Sequence, residues 1–294
     1  MTAIDRGIDA TLRATIEPPL RRLREPLAEH APSEWSFNNL LWFRRTRGWR
    51  YADHPIPHLR GRGYDDSLQL ITLCAVEDLD RELLRGLQGE QAWFCPLPEG
   101  SLARFDPAVF VWRAERNDAD YLYAADSFRH YAGVGLGAKR LAVERLRARH
   151  RLHSLTLDAS LVPLAKLVLE GWCRDKQIGL DDADARECLE ALTMLEPPAT
   201  AATPFGYLHL ADDAPAGFVV CEALNPGVIV VRFSKGLRRY DGIFPLMYQH
   251  LVRQTDRPVQ WLNFEQDLGR ANFRRSKLSF QPAHLLPKYR LRVR

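Results

Sequence analysis

Asn263, Glu265, Gln266 and Asp267 fall within one short stretch, Trp261-Leu262-Asn263-Phe264-Glu265-Gln266-Asp267-Leu268-Gly269. An apolar run breaks there into amides and carboxylates. Polar groups gathered where a strand leaves a core are fixed by the scaffold and exposed by the loop, which is how sites are commonly built. The chemistry open to such a set is proton transfer with recognition of a polar substrate, because a carboxylate beside an amine can take its proton. Glu265 and Asp267 are the candidate proton acceptors, with Tyr240 or Tyr248 as an acid and Glu222, at a strand end, as a third carboxylate. Asn263 and Gln266 are candidate substrate contacts. A structural reading stands beside this one, in which Asp267 caps the next helix and Asn263 satisfies local backbone. Arg275 and Lys277 follow closely and could orient anionic groups. For Lys277 a structural ion pair is the stronger reading.

The elements that must position these residues can be read from periodicity and punctuation. Strands are expected at 206–211, 217–223, 228–233 and 259–263, with turns at Asp212-Asp213-Ala214-Pro215 and Asn225-Pro226-Gly227. A helix from Gly242 to Gln254 turns Ile243, Leu246, Met247 and Leu251 inward, and another runs from Leu268 to Arg275. Two further helices, 161–176 and 182–195, precede this block; the second ends at Pro197-Pro198, and 199–203 is a loop. Upstream, a short amphipathic helix around 17–29 precedes the aromatic-rich segment 33–43, and short strands and helices run from 67 to 150. A last strand alternates Lys288, Arg290, Arg292 and Arg294 with Tyr289, Leu291 and Val293. Its period of two predicts one buried face and one basic face in water.

Composition excludes several classes. Hydrophobic residues at 46% and charged ones at 27% of 294 are those of a soluble globular chain long enough for two domains. No apolar run is long enough to span a bilayer and the N-terminus carries no signal pattern, so a cytoplasmic location is the default. Five scattered cysteines suggest buried thiols rather than disulfides or a metal site, and Pro55 and Pro57 keep His54 and His58 off one helix face. A net charge of +4 is mild, but its distribution is uneven. Lys139, Arg140, Arg145, Arg147, Arg149 and Arg151 share one segment, and Arg274 to Arg294 holds seven basic residues and no acid. Such clusters are usually solvated faces; two in one chain fit an anionic substrate or partner, with Lys139, Arg140 and Arg145 as contacts. Gly133-Val134-Gly135-Leu136-Gly137 before a basic helix could let backbone N–H groups approach a phosphate, or could be a flexible connector.

An antiparallel meander followed by strand, helix and a further parallel strand is the plan of the GCN5-related N-acetyltransferase (GNAT) fold. Residues 261–289, W-L-N-F-E-Q-D-L-G … R-R-S-K-L-S-F-x-P … L-L-P-K-Y, closely resemble the signature of the DUF2156 family, related to the C-terminal catalytic domain of phosphatidylglycerol lysyltransferases. That family typically reads N-R-E-Q-D-L-G and then R-K-A-K-L-S-Y-x-P. Shorter agreements, Phe37-Asn38, Tyr121-Leu122-Tyr123, Gly137-Ala138-Lys139-Arg140, Phe233-Ser234-Lys235 and Tyr240-Asp241-Gly242-Ile243, extend the likeness over about residues 35–290. Phe264 stands where the family has Arg, and Arg275-Ser276 where it has Lys-Ala.

The resemblance implies an α/β (α+β) protein of two tandem acetyltransferase-like (GNAT) domains, with mixed, mostly antiparallel sheets flanked by helices. A divergent domain at 1–155 would precede a second at 156–294 that carries the motif. It implies acyl transfer at an opening between strands 228–233 and 259–263, and a donor phosphate on Lys235, Arg238, Arg239 and Gly242 at the next helix N-terminus. No cofactor is certain and no metal is expected; the donor would be an aminoacyl-tRNA or an acyl-CoA. The coenzyme-A loop of the fold, Q/R-x-x-G-x-G/A, is matched by Arg239-Tyr240-Asp241-Gly242-Ile243-Phe244 except at its last position. A large Phe there favours aminoacyl-tRNA. The acceptor would be a small-molecule amine or hydroxyl, or a lipid headgroup reached by peripheral membrane contact. A non-catalytic binding module with a degenerate groove is the competing class.

Overall fold

The longest strands in the chain are two neighbours, Ala214–Asn225 and Gly227–Gly236. Phe218, Val219, Val220 and Cys221 on the first and Val228, Ile229, Val230 and Val231 on the second are all buried, as expected of central strands covered on both faces. Gly227 joins them at φ 78°, a left-handed conformation that glycine adopts without steric cost. In this computed structural model residues 4–195 and 204–294 are described. The Pro197-Pro198 pair and the 199–203 loop expected from the sequence lie outside the described residues.

In chain order the elements are β1 (Asp5–Gly7), α1 (Arg13–Arg24), α2 (Phe37–Trp42), α3 (Arg44–Arg47), β2 (Arg50–Ala52), β3 (His58–Arg62), β4 (Leu68–Thr72), α4 (Arg81–Gln88), β5 (Trp93–Leu97) and β6 (Phe110–Ala114). They continue with β7 (Asp120–Ala124), α5 (Asp126–His130), α6 (Gly137–Arg149), β8 (Leu152–Thr156), α7 (Val162–Lys176), α8 (Ala183–Thr193), β9 (Phe205–Ala211) and then the two long strands as β10 and β11. The chain closes with α9 (Ile243–Gln254), β12 (Val259–Asn263), α10 (Ala271–Leu278), β13 (His284–Leu286) and β14 (Tyr289–Val293). Helix α10 starts later than expected because Leu268 and Gly269 both take positive φ, 55° and 74°, which no helix accommodates.

Two compact units result. Unit 1 comprises Met1–Asp120, Gln266–Ala271 and Leu285–Arg294; unit 2 comprises Tyr121–Glu265 and Asn272–His284. By compactness the chain divides first after Asp120, and the position 155/156 expected from the sequence lies within β8. Unit 1 holds a sheet of order β1-β2-β3-β4-β5-β14-β6, and unit 2 holds β7-β12-β11-β10-β9-β8, with β13 beyond β7. Both sheets are mixed and mostly antiparallel: β4 with β5 and β11 with β12 are parallel pairs, and the other described pairings are antiparallel.

Strand β14 corrects one expectation. Two of the four basic residues expected on a solvated face, Lys288 and Arg290, are buried, because the strand is inserted between β5 and β6 rather than lying at an edge; Arg292 is half-buried and Arg294 exposed. Leu291 and Val293 complete the core around Phe94, Leu84 and Leu70. A buried cation must be paired, and Lys288 and Arg290 both are. Arg290 donates to Asp118 at 2.8 and 3.1 Å and to Asp65 at 2.6 Å.

Candidate active site

In unit 2, β11 pairs with β12 from Gly227 opposite Val259 to Val230 opposite Asn263. Pairing with β12 stops there, while β11 runs on to Gly236 alongside β10 and β12 stays paired to β7 through Asn263. The pairing of the two parallel strands therefore ends at Val230, where β12 itself ends. Arg232 lies two residues beyond that point with its side chain 0% exposed. Its Nε donates to Glu222 Oε2 on β10 at 3.1 Å and its Nη1 to Glu265 Oε1 at 2.5 Å. Burial works against the Arg232 charge, but Glu222 and Glu265 more than offset it, so the guanidinium pKa moves up. Glu265, at 15% side-chain exposure, is the outer member of this Glu–Arg–Glu triad.

The backbone of Glu265 is fixed as tightly as its side chain. It sits at φ 56°, a left-handed conformation costing a non-glycine residue about 1 kcal/mol. Its N–H donates to Asn263 Oδ1 at 2.7 Å, and its carbonyl accepts from Tyr121 N at 3.2 Å and from Lys277 Nζ at 3.1 Å. Three of the residues singled out in the sequence, Asn263, Glu265 and Lys277, thus meet. Arg232 was missed, although a lone charge inside the apolar run Val228 to Phe233 was a readable signal, since a buried strand cannot leave such a group unpaired.

The family model for phosphatidylglycerol lysyltransferase, C-terminal, matches residues 25–292. The chain belongs to this family. No curated protein matches in sequence. Among solved structures, a conserved protein of unknown function from Bacteroides thetaiotaomicron superposes with a TM-score of 0.81 at 18% identity, over 100% of both chains. The L-PGS of Bacillus licheniformis gives 0.54 at 11% identity, over 85% of this chain and 89% of that one. FemX gives 0.58 at 8% identity, over 100% and 98%. The fold is that of tandem GNAT proteins, and family and fold together are those of acyltransferases.

Within this family Phe264 is a departure, and its surroundings explain it. The ring lies 4.5 Å from Tyr123, 4.6 Å from Tyr248, 5.7 Å from Phe128 and 6.1 Å from Phe280, centroid to centroid. An aromatic cluster fills the place of the usual arginine. Burial in it pushes the Tyr248 hydroxyl up to about 12.

The expected donor-phosphate segment follows β11. Lys235 is buried, its Nζ 3.6 Å from the Trp172 ring centroid on α7. Arg238 and Arg239 are exposed; the Arg238 N–H donates to Asp175 Oδ2 at 2.8 Å. Tyr240 is buried, edge-on to His150 at 5.3 Å. Helix α9 begins without a side-chain cap, so Asp241 does not cap it; Asp241 faces Arg145 at 3.6 Å. At Gly242, φ is 94° and an added Cβ would lie 2.5 Å from the Ala142 carbonyl of α6. Close packing of α6 on α9 therefore requires that glycine. Phe244 comes within 3.4 Å of a Cβ built on Gly236, the last residue of β11. Beside it, Leu167, Gly171, Arg174, Asp175, Pro215, Leu237 and Arg239 line a pocket of about 280 Å³, at the small end for a cofactor-sized ligand.

The remaining residues singled out lie elsewhere. Lys139 donates to Ser279 at 2.8 Å, Arg140 faces Glu144 at 3.9 Å, and Arg275 is exposed on α10. Gln266 and Asp267 belong to unit 1. Gln266 donates to Glu34 at 3.1 Å and accepts from Lys288 at 3.3 Å. Asp267, with its side chain 0% exposed, accepts from the Gly269 N–H at 2.9 Å and from Arg116 at 3.3 Å, the contacts of a turn-forming aspartate.

Proposed function

We propose that this protein transfers an aminoacyl group from an aminoacyl-tRNA to a hydroxyl or amine on a small molecule or lipid headgroup. The observation that carries the reading is the Glu222–Arg232–Glu265 triad at the end of the β11–β12 pairing. In this reading an extended acyl donor lies against β11 beyond that end, and Glu265 is the partly exposed carboxylate next to it. In the step, the acceptor oxygen or nitrogen attacks the ester carbonyl carbon and the bond to the terminal ribose oxygen breaks. The acceptor proton passes to Glu265 and on to the departing ribose oxygen. Arg232 acts through Glu265 as a positioning residue, and Asn263 and Lys277 hold the backbone of Glu265 in place.

Two features favour the tRNA donor over a coenzyme-A thioester. The turn that would cradle a pyrophosphate carries Phe244 in place of a small residue, and its Gly242 packs against Ala142. Arg238 and Arg239 are exposed toward a larger polyanion. In the same reading residues 1–155 and 156–294 are two repeats of the transferase fold. With that division β7 and most of β8 belong to the first repeat but to the unit 2 sheet, and β14 belongs to the second repeat but to the unit 1 sheet. A donor screen tests the function: the chain is incubated with aminoacyl-tRNAs, acetyl-CoA or longer acyl-CoAs and an anionic lipid headgroup, and products are read by mass spectrometry. An aminoacylated product is expected; acylation from coenzyme-A thioesters alone overturns the donor assignment.

A further inference from the structure

The glycine-rich turn before α6 has no part in the site described above, yet it is held firmly in unit 2. A Cβ on Gly135 would lie 2.9 Å from the Gln281 side chain, Lys139 donates to Ser279 at 2.8 Å, and the Lys139 Nζ sits 4.2 Å from the Phe280 ring centroid. Segments 133–139 and 279–281 are therefore neighbours. At the tip of this turn Val134 is 98% exposed, and no other large hydrophobic residue among those described protrudes as far. Leu141, on the outer face of α6 opposite buried Ala142, Val143 and Leu146, is 50% exposed, and Leu278 at the end of α10 is 42% exposed.

The charges around these apolar residues are one-sided. Helix α6 carries exposed Arg140, Arg145, Arg147 and Arg149 against Glu144, with Asp241 facing Arg145, and α10 carries exposed Arg275 and no acid, its Arg274 and Lys277 being half-buried. A basic surface alone would suit a nucleic acid or a bilayer equally. Apolar side chains standing out from it decide between them, because a phosphodiester backbone offers Val134 nothing, whereas the acyl boundary of a membrane removes it from water. We propose that the turn Gly133 to Gly137 and the outer faces of α6 and α10 form a docking surface for an anionic lipid bilayer. Val134 enters the acyl boundary, while Arg140 and Arg275 meet headgroup phosphates. The inference deepens the lipid-headgroup reading of the acceptor and rests on it.

Cosedimentation with phosphatidylcholine vesicles, with and without phosphatidylglycerol, tests the surface, and transfer to glycerophosphoglycerol in solution is measured in parallel. The wild-type chain is expected to bind only the anionic vesicles, and to be released by salt. Val134→Asp, at an exposed turn, should weaken that binding by at least fivefold while leaving transfer to the soluble acceptor unchanged. Arg140→Ala and Arg275→Ala should each weaken it about fivefold. Failure of the wild-type chain to bind anionic vesicles overturns the proposal. So does undiminished binding by Val134→Asp, or a Val134→Asp effect confined to tRNA binding. Vesicle binding lost in Val134→Asp in a chain that transfers nothing to either acceptor supports the docking surface and sinks the proposed reaction instead.

Discussion

Both units bury cations between carboxylates, and Arg232 of unit 2 and Lys288 of unit 1 differ in the strands they adjoin. In unit 2 Arg232 joins Glu222 to Glu265 at the end of the β11–β12 pairing. In unit 1 Lys288 Nζ lies 2.7 Å from both Asp120 and Glu34, directly before a strand paired on both sides. Asp120 and Glu34 are in turn held by the N–H and hydroxyl of Ser33. Burial drives the Glu34 pKa up, and the carboxylates raise that of Lys288 against the opposing effect of its burial. Glu265 and Glu34 are about equally exposed, at 15% and 17%, but the first cluster stands at the end of a strand pairing and the second before a strand paired on both sides. Consecutive residues of a single motif are divided between them, Glu265 going to the first and Gln266 to the second. Neighbouring positions in a signature therefore serve different clusters, and on the proposed function the first serves chemistry and the second stability.

Removing either cation should have the largest effect, since it strands two buried carboxylates. Arg232→Ala and Lys288→Ala are each expected to cost about 3–5 kcal/mol in urea unfolding. The comparison is sharpened by variants that keep the fold. Glu265→Gln should leave the urea midpoint nearly unchanged but lower kcat/KM for transfer by about a hundredfold, and Arg232→Lys should also reduce it. Gln266→Ala should show the reverse, losing about 1 kcal/mol of stability with kcat/KM intact. If Gln266→Ala lost as much transfer as Glu265→Gln, the division between the clusters would collapse.

Acid should separate the units next. In unit 2 the buried His209 accepts or donates at Ser154 through Nδ1 at 2.9 Å, and its ring faces His250 at 5.1 Å. Burial, and then His250, takes its pKa down to about 3; burial takes His250 to about 4. Both pKa values are depressed from the ordinary 6.5, so below that pH the unfolded chain binds protons that the folded one refuses. Stability falls as pH drops, by roughly 2 kcal/mol near pH 5 from His209 and less from the more exposed His250. In unit 1 burial opposes ionisation of Asp65, but hydrogen bonds from Ser67 and Arg290 prevail and bring it to about 2. That contribution is full above 3.8 and is lost only as pH falls toward 2. Amide exchange at neutral pH and near pH 5 should therefore show unit 2 loosening first; equal loosening would remove the histidines from the account.

Local signals explain why the fold of the second half was readable. The turn at Asn225-Pro226-Gly227, the apolar runs of β10 and β11 and the 3.6-residue stripe of α9 are properties of adjacent residues, and the parallel pairing of β11 with β12 follows from that order of elements. Helices expected at 161–176 and 182–195 are α7, Val162–Lys176, and α8, Ala183–Thr193. Partners distant in sequence were not readable. The alternation in β14 predicted a solvated basic face, but Lys288 and Arg290 meet Asp65, Asp118 and Asp120, and nothing in a period of two announces that the basic face will be partly covered. The same limit hid Arg232 between Glu222 and Glu265, and it left Gln266 and Asp267 grouped with Glu265 because proximity along the chain was the only measure at hand.

The smallest expected effect bears on Phe264, which stands between the two halves of the divided motif. Its ring packs against Tyr123, Tyr248, Phe128 and Phe280, all within unit 2. Phe264→Leu keeps an apolar side chain of similar reach but loses the ring-to-ring geometry, which is worth about 1 kcal/mol. Because Phe264 adjoins Glu265 in the chain, a small loss of packing could be expected to disturb the carboxylate. The contacts on Glu265 argue otherwise: Asn263, Tyr121, Lys277 and Arg232 hold it from four sides, and none of them runs through the Phe264 side chain. Phe264→Leu should therefore lower the unfolding midpoint slightly and leave kcat/KM within about twofold. A tenfold loss of transfer without further loss of stability would instead make Phe264 a wall of the proposed donor site, and substitution of the family's arginine at this position would then be a change of specificity rather than of packing.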